Sequence, residues 1–169
     1  MAMIRIIGID PGSRITGVGV IDSDGRYNKH IYSTCIRMGK ESFPNRLGII
    51  FRGITEVIQT YNPTQMSIEQ VFVSNNPSSA LKLGQARGAA ICAGVMSGLE
   101  VHEYSARAVK QSVVGKGSAD KDQVQHMVKV LLYVSGKIQV DSSDALAVAL
   151  SHAHNGAYNA KIAKALGQW

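Results

Sequence analysis

Ile4 to Ile9 is a short, β-branched, nearly continuous apolar run closed by Asp10-Pro11-Gly12, the pattern of a buried strand that ends in a turn. Thr16 to Ile21 reads as a second strand, Asp22 to Gly25 supplies hairpin turn chemistry, and Tyr27 to Ile36 reads as a third. An antiparallel meander therefore opens the chain. The period then changes from two to about 3.6: Leu47, Ile50, Phe51, Ile54, Val57 and Ile58 recur at helical spacing up to Tyr61, and Asn62-Pro63 stops the helix. Gln65 to Val73 returns to strand character, Pro77-Ser78 opens a long helix of small residues to about Gly98, and Glu100 to Tyr104 is another short strand. A basic helical stretch from Ala106 to Val114, a loop at Gly115 to Ser118, a helix from Asp120 to Leu132, and an apolar helix from Ser142 to about Asn155 follow. A fraying tail is predicted from there through Trp169.

This order predicts an α/β fold: one mixed sheet, three antiparallel strands then parallel ones, with helices on both faces. A length of 169 residues fits a single domain, taken as residues 1–156, with 157–169 as a C-terminal tail. Hydrophobic residues make up 45% of the chain and charged ones 18%, enough apolar material for a core and too little charge for a disordered segment. Eighteen Lys and Arg against twelve Asp and Glu give a net charge of +6, which favours polyanionic partners. Cys35 and Cys92 form no metal cage or disulfide framework, the N-terminal apolar stretch is interrupted by Arg5 and closed by Asp10 unlike a signal sequence, and no apolar run approaches the length of a membrane span. A cytoplasmic protein with no membrane partner is expected. Cys92, inside an apolar helix, reads as a packed thiol, and His152 and His154 fall on different helix faces, unsuited to joint ligation. Gly115-Lys116-Gly117-Ser118 lacks the spacing of a nucleotide-binding P-loop, so no nucleotide cofactor is expected.

Four carboxylates sit against this pattern. Asp10 ends a strand that reads as buried, and Glu69 lies inside the apolar run Met66, Ile68, Val71, Val73, where an unpartnered charge is costly. Asp141 and Asp144, three apart at the start of the last helix, share one face. Asp10 and Glu69 converge if their strands are parallel neighbours, because such strands bring their C-terminal ends together. Clustered carboxylates repel unless a cation lies between them, and hard oxygen ligands select Mg²⁺ or Mn²⁺. Two such ions would suit in-line cleavage of a phosphodiester. Ordinary roles remain open from spacing alone: Asp10 as a turn residue, Asp141 as an N-cap, and Asp144 as a first-turn acid favoured by the helix dipole. With the four carboxylates assigned to metal, eighteen basic residues face eight acidic ones elsewhere, and Lys110, Lys116 and Lys121 flank the glycine loop as phosphate contacts.

Gly8-Ile9-Asp10-Pro11-Gly12-Ser13-Arg14-Ile15-Thr16-Gly17 and Ile68-Glu69-Gln70-Val71-Phe72 resemble motifs of the RuvC family of Holliday-junction resolvases. Ala80-Leu81-Lys82-Leu83-Gly84-Gln85-Ala86-Arg87-Gly88, Val109-Lys110-Gln111 with Val114-Gly115, and Asp141-Ser142-Ser143-Asp144-Ala145-Leu146-Ala147 match in the same order, over about residues 4–155. The resemblance implies an RNase H-like fold, a homodimer, and Mg²⁺-dependent endonuclease action on four-way junction DNA, with Mn²⁺ as a substitute and two ions per site. It also implies the branch-migration proteins RuvA and RuvB as partners. By motif, Asp10, Glu69, Asp141 and Asp144 correspond to the family's metal-binding catalytic carboxylates, Lys110 and Lys121 to its basic residues near the scissile phosphate, and Phe72 to its aromatic residue at the crossover bases. Lys82, Arg87 and Lys116 complete the DNA-binding set. Some family members carry histidine at the position of Asp141, and many carry a basic residue where this chain reads Val73-Ser74-Asn75-Asn76. The other enzyme reading is an RNase H-like nuclease for structured RNA.

Overall fold

A computed structural model describes residues 2–71 and 75–167, with residues 157–162 described by backbone alone. Strands β1 (Ile4–Asp10), β2 (Ile15–Ser23) and β3 (Asn28–Arg37) form the expected antiparallel meander. Helix α1 (Phe43–Tyr61) leads to β4 (Gln65–Glu69), α2 (Pro77–Met96) to β5 (Glu100–Tyr104), and α3 (Ala106–Val114), α4 (Lys121–Leu132) and α5 (Val140–Ala165) follow. The sheet runs β3-β2-β1-β4-β5, with β4 parallel to both β1 and β5. This is the mixed sheet the hydrophobic pattern predicts, with β1 at its centre.

Alternation along the strands sorts two cores. Ile7 and Ile9 of β1 and Met66 and Ile68 of β4 pack with α1 and α2 through Ile50, Ile54, Ala86 and Ala90. The intervening positions face α5, where Ile6 and Ile21 join Leu146, Leu150 and the apolar residues of α3 and α4. Gly8, paired with Gly19, lies on that second face. A methyl group at Gly8 would collide with the Ala145 carbonyl oxygen and come within 2.8 Å of the Ala149 backbone nitrogen, and one at Gly17 would collide with the Asp141 carbonyl oxygen. Glycines 8, 17 and 19 therefore form a trough in which α5 lies directly on the sheet backbone.

Three features differ from expectation. β4 ends at Glu69 rather than Val73, although the Gln70 amide still donates to the Tyr104 carbonyl at 2.8 Å. Helix α5 starts at Val140 and stays helical to Ala165, so the backbone does not fray after Asn155; Ala157, Ala160, Ala163 and Ala165 are strong helix formers. Cys92 is exposed, because the small-residue helix α2 buries only one side, through Ala86, Ala90, Ala93 and Gly94.

Candidate active site

Alternation on β1 and β4 decides which way the first two carboxylates point. Ile9 pairs with Ile68 in parallel register, so Asp10 and Glu69, one residue on, end adjacent strands side by side on the α5 face. The glycine trough seats the first turn of α5 against β2, which brings Asp141 and Asp144 to the same edge. The four carboxylates line one cavity of about 360 Å³ together with Lys110 of α3, Lys121 at the start of α4, Ala106, Val109, Val124, Ala147 and Val148. Ser105 caps α3 by accepting from the Ala108 amide at 3.1 Å, and Asp120 caps α4 in a capping box with Gln123. These caps fix the start of each helix, with Lys121 at the first position of α4 and Lys110 one turn into α3.

The electrostatics of the cavity are those of crowded carboxylates short of positive charge. Burial pushes Asp10 up to about 8, reinforced by the charges of Asp144, Glu69 and Asp141. This favours the protonated form of Asp10, which as a carboxylic acid can donate a hydrogen bond to Glu69. Glu69 is itself raised, by burial and then Asp144, against the opposing pull of that hydrogen bond and of Lys110 and Lys121. Asp144 is raised by burial and Asp141, and lowered by Lys121, whose Nζ lies 3.4 Å from its Oδ2. Among the described residues no three of these groups already converge on one metal position, and the Lys121 ammonium stands against Asp144. The donor set, all hard carboxylate oxygen, nevertheless matches a divalent cation, which would offset both the burial and the repulsion that raise Asp10, Glu69 and Asp144.

The remaining sequence-derived candidates lie elsewhere. Lys116 is exposed in the loop after α3 and does not line the cavity. Lys82 is exposed on α2, with its ammonium 6.0 Å from the Phe43 ring centroid. Arg87 is held within the fold: its Nε donates to the Glu69 carbonyl at 3.0 Å and its Nη2 to Glu103 at 2.6 Å, so the guanidinium buttresses the end of β4. Phe72 lies outside the described residues. The residues that position the site without touching it, Gly8, Gly17, Gly19 and Arg87, were not singled out for that role from sequence; the alternating Gly17-Val18-Gly19 is the visible signal for a close approach on one face. At the opposite end of β4, His152 bridges Tyr104 Oη at 2.6 Å and Gln65 Oε1 at 2.7 Å and stacks on His102. It anchors the middle of α5, an interior role.

Known proteins resemble this chain in sequence and in fold. The family model for crossover junction endodeoxyribonuclease RuvC matches residues 6–152. The RuvC of Dichelobacter nodosus is 59% identical over 155 residues, 92% of this chain and 88% of that protein. That of Marinobacter nauticus is 59% identical over 152 residues, 90% of this chain and 87% of its own. Among solved structures, Thermus thermophilus RuvC in complex with a Holliday junction substrate superposes with a TM-score of 0.86 at 29% identity, covering 92% of this chain and 96% of that one. The yeast mitochondrial Holliday junction resolvase Ydc2 shares the fold, with a TM-score of 0.65 at 10% identity over 95% of this chain and 83% of its own. With its mixed sheet, its carboxylate pocket and these relatives, the chain belongs to the RuvC family of crossover junction endodeoxyribonucleases.

Proposed function

We propose that this protein resolves four-way DNA junctions by metal-dependent hydrolysis of two opposed phosphodiesters, in homologous recombination and DNA repair. The observation that carries the reading is the convergence of Asp10, Glu69, Asp141 and Asp144 from three distant segments into one cavity rimmed by Lys110 and Lys121. Asp10, Glu69, Asp141 and Asp144 would hold Mg²⁺, or Mn²⁺ in its place, as two ions during cleavage. Bound there, the metal supplies Lewis-acid stabilisation of phosphate charge and lowers the pKa of attacking water. Lys110 and Lys121 neutralise the developing charge on the scissile phosphate, and Lys121 must release Asp144 when a cation takes its place. Phe72 meets bases near the crossover, while Lys82 and Lys116 bear on the DNA backbone. The single nuclease domain covers residues 1–156.

A junction has approximate two-fold symmetry, so two cuts call for two sites on one axis. The exposed side of α2 supports a homodimer: Leu81, Val95 and Met96 are 71%, 56% and 78% exposed, and a methyl group at Gly84 or Gly88 would meet nothing within 4 Å. Gly94 has a different job, since its missing side chain makes room for Met66. Among the described residues no helix is long and apolar enough to cross a membrane, and cytoplasmic action beside RuvA and RuvB follows from the same reading. The deciding experiment compares cleavage and binding of a four-way junction, duplex DNA and structured RNA of equal length, with Mg²⁺ and with EDTA. Symmetric junction cleavage only with metal is the expected result. Preference for the RNA would replace the substrate assignment, and cleavage in EDTA would remove the metal.

A further inference from the structure

The carboxylate cavity has a second cationic flank, on the side away from Lys110 and Lys121. There the turn after β1, the end of β3 and the approach to α1 meet at one edge of the sheet: the Met38 amide donates to the Arg14 carbonyl at 3.1 Å, and Ile15 pairs with Arg37. They enclose an open groove of about 510 Å³ lined by Arg14, Ile15, Arg37, Gly39, Lys40 and Arg46. Four of these six residues are cationic, and among the described residues none of the four forms an ion pair. Two are held by neutral partners: Arg46 Nε donates to the Glu41 carbonyl at 2.9 Å, and Arg37 donates to Gln139 Oε1 at 3.3 Å, just ahead of α5. Among the described residues the neighbouring carboxylate of Glu41 accepts only from Asn45, at 3.5 Å. The groove therefore offers guanidinium and ammonium donors whose charge is not neutralised from within the fold.

We propose that this groove binds backbone phosphates of the cleaved DNA strand on the β3 side of the cut, so that the strand is gripped on both sides of the scissile phosphate. The proposal rests on the nuclease reading above. β3 is two strands from β1, about 10 Å at the usual spacing, and a nucleic-acid strand carries a phosphate about every 3.4 Å of axis, so the groove meets phosphates about three positions from the carboxylates. Arginine forks suit phosphate oxygens, and contacts of this kind set register on the DNA rather than reading sequence.

The test uses the full-length chain carrying Arg37→Gln with Lys40→Gln, both exposed positions, against Arg26→Gln with Lys29→Gln, which removes the same charge from exposed positions at the opposite end of the sheet. Junction binding is followed in EDTA across a salt titration, after equal urea midpoints confirm folding. The groove pair is expected to lower the slope of log K against log salt by about 1.8, at about 0.9 per lost phosphate contact, and to weaken binding tenfold or more at low salt. The control pair keeps the wild-type slope. Trimming the strand to end before the third phosphate removes the difference between groove variant and wild type. If the groove pair matches the control pair while the wild-type protein still prefers the junction to duplex, the groove is a solvated basic face and the proposal is overturned. If the wild-type protein neither prefers nor cuts the junction, the nuclease reading itself falls.

Discussion

Replacing Asp10 by Asn probes the electrostatics of the cavity apart from any chemistry. In the wild-type protein the Asp10 carboxyl is pushed from its ordinary 3.8 up to about 8. The folded value lies above the unfolded one, so the folded state holds a proton that the unfolded chain releases. The stability tied to that proton is complete below pH 4 and is lost as pH rises towards 8. Each unit inside the window costs about 1.4 kcal/mol, so roughly 4 kcal/mol is lost between pH 4 and pH 7. Asn cannot ionise, yet its amide can still donate to Glu69. In EDTA the variant should match wild type near pH 4 and exceed it by about 4 kcal/mol at pH 7, measured by urea unfolding at pH 4, 5.5, 7 and 8.5. Taking the difference between the proteins cancels the titration of every distant group. Mg²⁺ or Mn²⁺ should then raise the wild-type midpoint more at pH 8 than at pH 5 and move the variant far less, because binding to the folded state adds stability in proportion to site occupancy. Stability curves that run parallel from pH 4 to 8.5 would refute the account of a buried, mutually repelling carboxylate set.

Glu69→Gln and Asp144→Asn should each abolish cleavage in Mg²⁺ while a gel shift in EDTA shows wild-type junction binding; loss of binding with the fold intact would contradict their role as ligands. Gly17→Ala should cost about 1–3 kcal/mol and slow cleavage, because its methyl group pushes the first turn of α5 off the sheet, whereas Gly84→Ala should leave urea stability of the protomer unchanged or higher and weaken the dimer in sedimentation. His152, lowered to about 4 by burial and then by His102, favours the fold above its unfolded value near 6.5 and loses that contribution as pH falls through 4. His152→Gln should flatten about 3 kcal/mol of acid destabilisation between pH 6.5 and 4, seen by unfolding on the Asp10→Asn background.

Period and turn chemistry made the element order legible, and the convergence of Asp10 with Glu69 followed once β1 and β4 proved to be parallel neighbours. Strand parity explains why Glu69 stood out: it occupies an inward position in a strand whose other face is filled by Met66 and Ile68. What stayed hidden was the identity of neighbours. A glycine marks a close approach without saying to what, and the three glycines of α2 look alike in sequence although Gly94 faces Met66 and Gly84 and Gly88 face open space. Arg87 reads as a free cation on a helix of small residues, and only the tertiary placement of Glu103 and the Glu69 carbonyl turns it inward. Cys92 shows the same limit: a helix of small residues is apolar all round in composition, yet is buried on one side only.

Helix α5 works as a gauge block between two ends of the sheet. Its first turn carries Asp141 and Asp144 beside Asp10, and two turns further on His152 is pinned to Gln65 at the other end of β4. Both marks are read on one rigid rod, where a single inserted or deleted residue turns everything beyond it by about 100° and shifts it by about 1.5 Å. The stretch from Asp144 to His152 can therefore exchange side chains of similar size but not change in length, since either the carboxylates or the anchor would rotate away from the sheet.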